Sequence, residues 1–360
     1  MKTYFAIATV LSSLILSAPP ADGTPAAVGA TPVVTGLDFP AAFTFAPDGR
    51  IFYGERFTGE IRIYDPSNGS NTLFFSITQL QTLGEQGLLG MALHPMYPTK
   101  PAVYAYATRE VNGSPRNQII RIMDSGGVGT NPKIIWTENV VANSIHNGGH
   151  IQFGPDRRLY AVVGDAANSA NSQNLSLTAG KVLRMTDRGT VPPDNPFAGS
   201  VVWAYGLRNS FGFTFDPLTD LLWETENGPA CNDELNIELA GENHAWGPSQ
   251  TCSTPPPPPQ NTNQDGPNPV MPLTWFTPTI APVGAAFCVS CGIGTAEGTL
   301  FFGAYNDSKV RQVTLTPDRM GIQTLASVYT HSTFLLSLER GPDQAVYFSD
   351  QSGIWKLVQV

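Results

Sequence analysis

The sequence predicts an all-β fold, a six-bladed β-propeller, on three observations. One turn-and-strand unit recurs six times, glycine and proline are abundant, and charged residues are scarce. Of 360 residues, 35 are Gly and 31 are Pro, while only 14 % are charged. That balance suits many short strands joined by tight turns better than long charged helices.

The recurring unit is an apolar residue, a turn that usually contains proline, and a strand rich in aromatic and branched side chains. It reads Phe45-Ala46-Pro47-Asp48-Gly49 into Ile51-Phe52-Tyr53, then Leu93-His94-Pro95 into Ala102-Val103-Tyr104. The third is Phe153-Gly154-Pro155-Asp156 into Leu159-Tyr160-Ala161, and the fourth Phe215-Asp216-Pro217 into Leu221-Leu222-Trp223. The fifth, Glu297-Gly298 into Thr299-Leu300-Phe301, lacks proline; the sixth is Gly341-Pro342-Asp343 into Ala345-Val346-Tyr347. Proline fixes φ at the start of the turn, and Asp or Gly tolerates the rest. The units start roughly 45 to 80 residues apart, near the blade period of a propeller. A β-sandwich would not explain six copies of one turn.

The ends and the cysteines set the context. Lys2, the apolar run over residues 4–16 and the small, proline-rich residues 17–21 read as a signal peptide over 1–21. The run is short for a membrane span, so the mature chain is expected to lack one and to be secreted or periplasmic. Residues 22–34 read as a flexible leader. Residues 35–360 read as a single propeller domain with a proline-rich insertion near 253–270. A net charge of -9 argues against a nucleic-acid partner. Four cysteines in an exported chain point to disulfides with three possible pairings, and locality favours Cys231–Cys252 and Cys288–Cys291. A zinc site is the rival, but the single CxxC has no second pair.

Four clusters could carry chemistry. In His146-Asn147-Gly148-Gly149-His150, a histidine precedes a strand whose hairpin partner ends at Gly164-Asp165. An aspartate on one ring nitrogen fixes the tautomer and leaves the other nitrogen free as a base. The bland alternative is a hairpin turn signal. Arg208-Asn209 lies between two strand-like runs and offers fixed donors to a carbonyl or carboxylate, or else a structural ion pair. Residues 226–234 combine acids with a Gly-Pro turn, which suits a hard cation such as calcium or an ordinary acidic loop. Gly84-Glu85-Gln86-Gly87 places polar side chains just before a buried strand.

Taken together, GEQGLLGMALHP, HNGGHIQFGPD with its GD at 164–165, WAYGLRNSFGFTFDP, ENGPACNDELN with GENHAWG, and TPTIAPVGAAF resemble the soluble quinoprotein glucose/sorbosone dehydrogenases. The resemblance spreads over residues 36–355 and implies a six-bladed propeller that binds PQQ and calcium. It implies oxidation of an aldose sugar to its lactone, with an unknown electron acceptor. By this resemblance His146 is the base, Asp165 orients it, and Arg208 polarises the quinone. Gln86, Asn209, Phe276 and Thr279 join Arg208 at the cofactor. Gly228 and Pro229 supply carbonyls to the cofactor's calcium, while Glu234 and the carbonyl of His244 form a second calcium site. Two departures stand out. The family places basic residues around the PQQ carboxylates from the last two blades, whereas here Thr333-Phe334-Leu335-Leu336-Ser337-Leu338 and Ala304-Tyr305-Asn306-Asp307 hold none. Lys309, Arg311 and Arg340 are the nearest cations that could compensate. Two other classes stay open: a cofactor-less binding propeller like the hedgehog-interacting relatives, and a calcium-dependent lactonase-type hydrolase.

Overall fold

The computed structural model describes residues 27–249 and 264–360. Strand β1 (Val28–Thr35) comes first and finds its partner last. The first blade is β2 (Pro40–Phe45), β3 (Ile51–Glu55), β4 (Glu60–Asp65) and β5 (Ser70–Ser76). The second is β6 (Leu88–Leu93), β7 (Ala102–Val111), β8 (Ser114–Asp124) and β9 (Gly129–Thr137). The third is β10 (Ile151–Phe153), β11 (Leu159–Val163), β12 (Lys181–Met185) and β13 (Val202–Tyr205). The fourth is β14 (Ser210–Phe215), β15 (Leu222–Glu226), β16 (Asp233–Glu238) and β17 (Thr274–Phe276). The fifth is β18 (Pro282–Phe287), β19 (Leu300–Ala304), β20 (Lys309–Leu315) and β21 (Ile322–Thr330). The sixth is β22 (Ser337–Arg340), β23 (Val346–Ser349) and β24 (Gly353–Gln359), completed by β1, with Val28 opposite Gln359. The fold is thus the six-bladed propeller read from the sequence. Helix is confined to Ala170–Gln173 and a 3-10 turn at Gly294–Ala296 among the described residues.

Each recurring turn joins the first strand of a blade to its second. The first strands pack against one another around the axis. That crowding explains glycine inside a strand: a Cβ on Gly284 would lie 2.2 Å from the Leu338 nitrogen of the next blade. In the fifth blade, where proline is missing, the Cys288–Cys291 disulfide and the 3-10 turn bridge β18 to β19. Every neighbouring pair of blades shares a buried apolar cluster, six in all among the described residues. Both faces of each sheet are therefore covered, and β11, β12 and β19 are buried at every position.

One boundary needs correction. Residues 28–34 are not a leader, because they lie within β1. Val28 and Ala30 pack into the cluster between blades five and six, Val33 and Val34 into that between blades six and one. A terminal strand that closes the ring removes the sheet edge an open propeller would expose. The signal-peptide segment 1–21 lies outside the described residues. So do residues 250–263, most of the insertion, which falls between β16 and β17. Cys231 is disulfide-bonded, with its expected partner Cys252 outside the described residues.

Candidate active site

A cavity of about 550 Å³ opens at one end of the ring, within the usual size of small-molecule sites. Its walls come from strand ends and connecting loops: Arg56 after β3, Glu85 before β6, His146 and His150 before β10, and Arg208 with Asn209 before β14. Gly228 and Pro229 join from the turn between β15 and β16, Asp233 from the start of β16, Thr279 from before β18, and Tyr305 with Asn306 from after β19.

His146 and Asp165 meet as the sequence implies. The Nδ1 of His146 lies 2.6 Å from Asp165 Oδ1. Asp165 is 1 % exposed; its Oδ1 also accepts from the Ala167 amide at 2.7 Å, and its Oδ2 from Trp246 Nε1 at 2.8 Å. An ionised carboxylate can only accept, so Asp165 holds the ring with the proton on Nδ1 and leaves Nε2 as the basic nitrogen. His146 sits at φ 61°, a left-handed conformation rarely adopted by a residue with a Cβ. Its amide is held by Glu85 Oε2 at 2.6 Å. Gly164 makes room beside it, since a Cβ there would lie 2.3 Å from the His146 carbonyl oxygen. Local strain held in place by the surroundings is a mark of functional positions.

Arg208 and Asn209 share this wall. Arg208 Nη1 donates to the Asn227 carbonyl at 2.9 Å, and its guanidinium lies 5.6 Å from the centre of the Trp246 ring. Burial lowers its pKa, opposed by Asp165, Glu226 and Glu85. Asn209 Nδ2 donates to Glu85 Oε2 at 3.1 Å, and its Oδ1 accepts from the Gly148 amide at 3.1 Å. The Gly228-Pro229 turn is fixed by Asp233. Its Oδ1 accepts from the Gly228 amide at 2.8 Å, and its Oδ2 from the Ile280 and Ala281 amides at 2.6 and 2.7 Å.

Two expected cofactor residues lie elsewhere. Gln86 does not line the cavity; it is buried and donates from Nε2 to the Asn143 carbonyl at 3.0 Å. Its neighbour Glu85 faces the cavity instead and ties His146 to Asn209. Phe276 in β17 also stays outside. Its ring packs 5.9 Å from Phe302, with Arg311 5.5 Å above it, because the outermost strand of blade four faces blade five. Nor do Lys309, Arg311 or Arg340 reach the cavity: the first two pair with Asp307, and Arg340 lines a second recess with Glu339 and Asp216. The cations that do line it are Arg208 and Arg56. His150 lines it too, with burial holding its pKa down at about 4 and Nδ1 3.7 Å from Glu339. The sequence reading gave no role to Arg56, Glu85 or His150. The Gly-Glu-Arg ending of β3 and the acid beside Gln86 were the available signals.

Glu234 and His244 sit apart from the cavity, in a buried acidic layer. Cross-strand pairing puts Glu224 opposite Asn236 and Glu226 opposite Glu234, with Glu238 next along the same face. Each is at most 3 % exposed. Burial pushes Glu224 and Glu226 well above the carboxylate range and Glu234 to about 7. His244 Nε2 lies 3.0 Å from Glu238 Oε2. Glu224 Oε1, Glu226 Oε2, Asn236 Oδ1 and Glu238 Oε1 have no hydrogen-bond partner among the described residues. Among the described residues, no three His, Cys, Asp or Glu side chains converge as a metal cage.

The model of the glucose / sorbosone dehydrogenase family matches residues 37–358. An uncharacterized protein of Synechocystis is 31 % identical over 357 residues, covering 90 % of this chain and 84 % of its own length. The aldose sugar dehydrogenase YliI of Escherichia coli is 28 % identical over 231 residues, 62 % of each chain. The PQQ-bound aldose sugar dehydrogenase of Streptomyces coelicolor superposes with a TM-score of 0.79 at 27 % identity, covering 95 % of this chain and 99 % of that one.

Proposed function

The chain belongs to the glucose/sorbosone dehydrogenase family, and from that premise we propose that it oxidises an aldose to its lactone with PQQ and calcium. The observation that carries this reading is the His146–Asp165 pair, 2.6 Å apart, on the wall of the cavity that also presents Arg208 and Asn209. Nε2 of His146 takes the proton of the anomeric hydroxyl, and Asp165 stabilises the imidazolium that forms. When bound, PQQ supplies the quinone that accepts the hydride from the same carbon. Arg208 offers a fixed cation to a quinone oxygen, and Asn209 and Thr279 offer polar contacts beside it. Glu85 positions both the base and Asn209. Apolar walls from Phe39, Leu89, Phe211 and Val283 suit a planar aromatic ring system and keep water from it.

The donor chemistry fits a hard cation. Gly228 and Pro229 would hold calcium at the cofactor through carbonyl oxygens, on a turn that Asp233 makes rigid. Glu234 and the His244 carbonyl would hold a second ion, next to buried oxygens that lack partners. Export after removal of residues 1–21 completes the proposal, and the amino terminus of the secreted protein tests it. The function itself is tested by incubating apo-protein with PQQ and calcium and assaying dye reduction across a sugar panel. Turnover of at least one aldose, lost on omitting PQQ, supports the reading; no turnover with any aldose defeats it.

A further inference from the structure

We propose that Arg56 is a cofactor-binding residue, pairing with a carboxylate of PQQ from blade one; this rests on the PQQ reading above. Four observations lead there. Arg56 lines the cavity, and its guanidinium makes no ion pair among the described residues. Burial lowers its pKa, with Glu85 and Tyr305 partly opposing that shift. A half-buried guanidinium without a carboxylate partner is poorly compensated, and an anion placed in the cavity pairs with it. The side chain is also held in advance of any ligand. Nε donates to the Gln86 carbonyl at 3.1 Å, Nη2 donates to the Gly84 carbonyl, and the Phe57 and Phe39 rings lie 4.6 and 5.3 Å from the guanidinium carbon. Nη1 makes no hydrogen bond to any described residue.

The adjoining part of the mouth explains why blade one would take this role. Tyr305 and Phe334 stack with ring centres 4.3 Å apart, and Phe334 lies 5.9 Å from Phe39. These two residues stand in the segments of blades five and six that carry no cation, so an aromatic rim occupies that side. Lys309, Arg311 and Arg340 are engaged elsewhere or face away. A planar tricarboxylate entering this cavity therefore meets Arg56 on one side and Arg208 on the other. A planar fork held against two aromatic rings suits a carboxylate better than a flexible ammonium.

The test compares binding of PQQ and of its trimethyl ester to calcium-loaded apo-protein by titration calorimetry, for wild type, Arg56→Met and Arg56→Lys. The proposal expects Arg56→Met to weaken PQQ roughly ten- to hundred-fold, as one charged hydrogen bond implies, while the ester changes little. Arg56→Lys should fall between. The difference between ligands matters because Arg56 also braces the loop that carries Gly84 and Gln86. Equal weakening of acid and ester would make it a scaffold residue and overturn the proposal, and so would unchanged binding of the acid. If Arg56→Met does not fold, Arg56→Lys carries the same comparison. Wild type that binds neither form at micromolar concentration overturns the PQQ reading itself, a different outcome from a null effect of the substitution.

Discussion

Replacing Asp165 by asparagine removes one acceptor from a buried site where three donors converge on two oxygens. His146 Nδ1 and the Ala167 amide share Oδ1, and Trp246 Nε1 takes Oδ2, at 2.6, 2.7 and 2.8 Å. An amide keeps one oxygen. If its NH2 replaces Oδ2 it opposes the indole N–H; if it replaces Oδ1 it opposes the Ala167 N–H and drives His146 to the tautomer protonated on Nε2. Either choice leaves a buried donor unpaired, about 1–3 kcal/mol of stability. The second also removes the lone pair that accepts the substrate proton. General-base catalysis contributes roughly 10²–10⁴-fold, so kcat should fall within that span, less severely than in His146→Gln. PQQ affinity should hardly change. The assay is steady-state dye reduction at saturating aldose, with a melting curve for each variant. An Asp165→Asn enzyme that keeps kcat within about twofold of wild type, with a normal pH profile, would refute the assigned base and its orienter.

Other expectations concern stability. Arg319 joins buried Asp216 through two bonds, from Nε at 2.5 Å and Nη2 at 2.8 Å, linking blade five to blade four. Arg319→Ala should cost about 3–5 kcal/mol, because it strands a buried carboxylate, and denaturant unfolding will show it. Burial raises Glu138 to about 8 despite its bond from Asn117. Its contribution is then full below its unfolded pKa of about 4.3 and lost as pH rises through about 8. Wild type should lose stability across that window, and Glu138→Gln should lose less, because Glu224, Glu226 and Glu234 still contribute in the same direction; parallel pH–stability curves would contradict this. Starting the chain at residue 36 deletes β1 and uncovers β24, so the melting temperature should drop well below that of a chain starting at residue 27. Excess chelator should lower the melting temperature if calcium binds the folded state alone.

The blade count was legible because the turn between the first two strands is the most constrained piece of each blade, and its Pro, Asp and Gly leave a trace in sequence. Where another device closes the turn, as with Cys288–Cys291, the trace fades to Glu297-Gly298. Strand β1 was invisible for a different reason. Val-Gly-Ala-Thr-Pro-Val-Val has small residues and a proline, and its partner, β24, comes more than three hundred residues later. At the site, His146 and Asp165 could be paired because both flank one hairpin, whose register fixes their meeting. The loop before β6 has no period, so Glu85 and Gln86 could not be told apart. Arg56 follows an ordinary-looking strand, and only the closed ring brings it into the same cavity as Arg208. Phe276 went astray because the outermost strand of a blade addresses the next blade, not the axis.

The central claim is that this cavity removes a proton through His146 while a hydride leaves the sugar for PQQ. Anaerobic mixing of the PQQ- and calcium-loaded protein with an aldose tests it directly, by following the absorbance of the oxidised cofactor. Wild type should lose that absorbance in a single turnover, and His146→Gln, with the same PQQ content, should retain it for at least a hundredfold longer, given that a general base is worth roughly 10²–10⁴-fold. Equal rates in the two proteins, or a wild-type cofactor that no aldose reduces, would contradict the account.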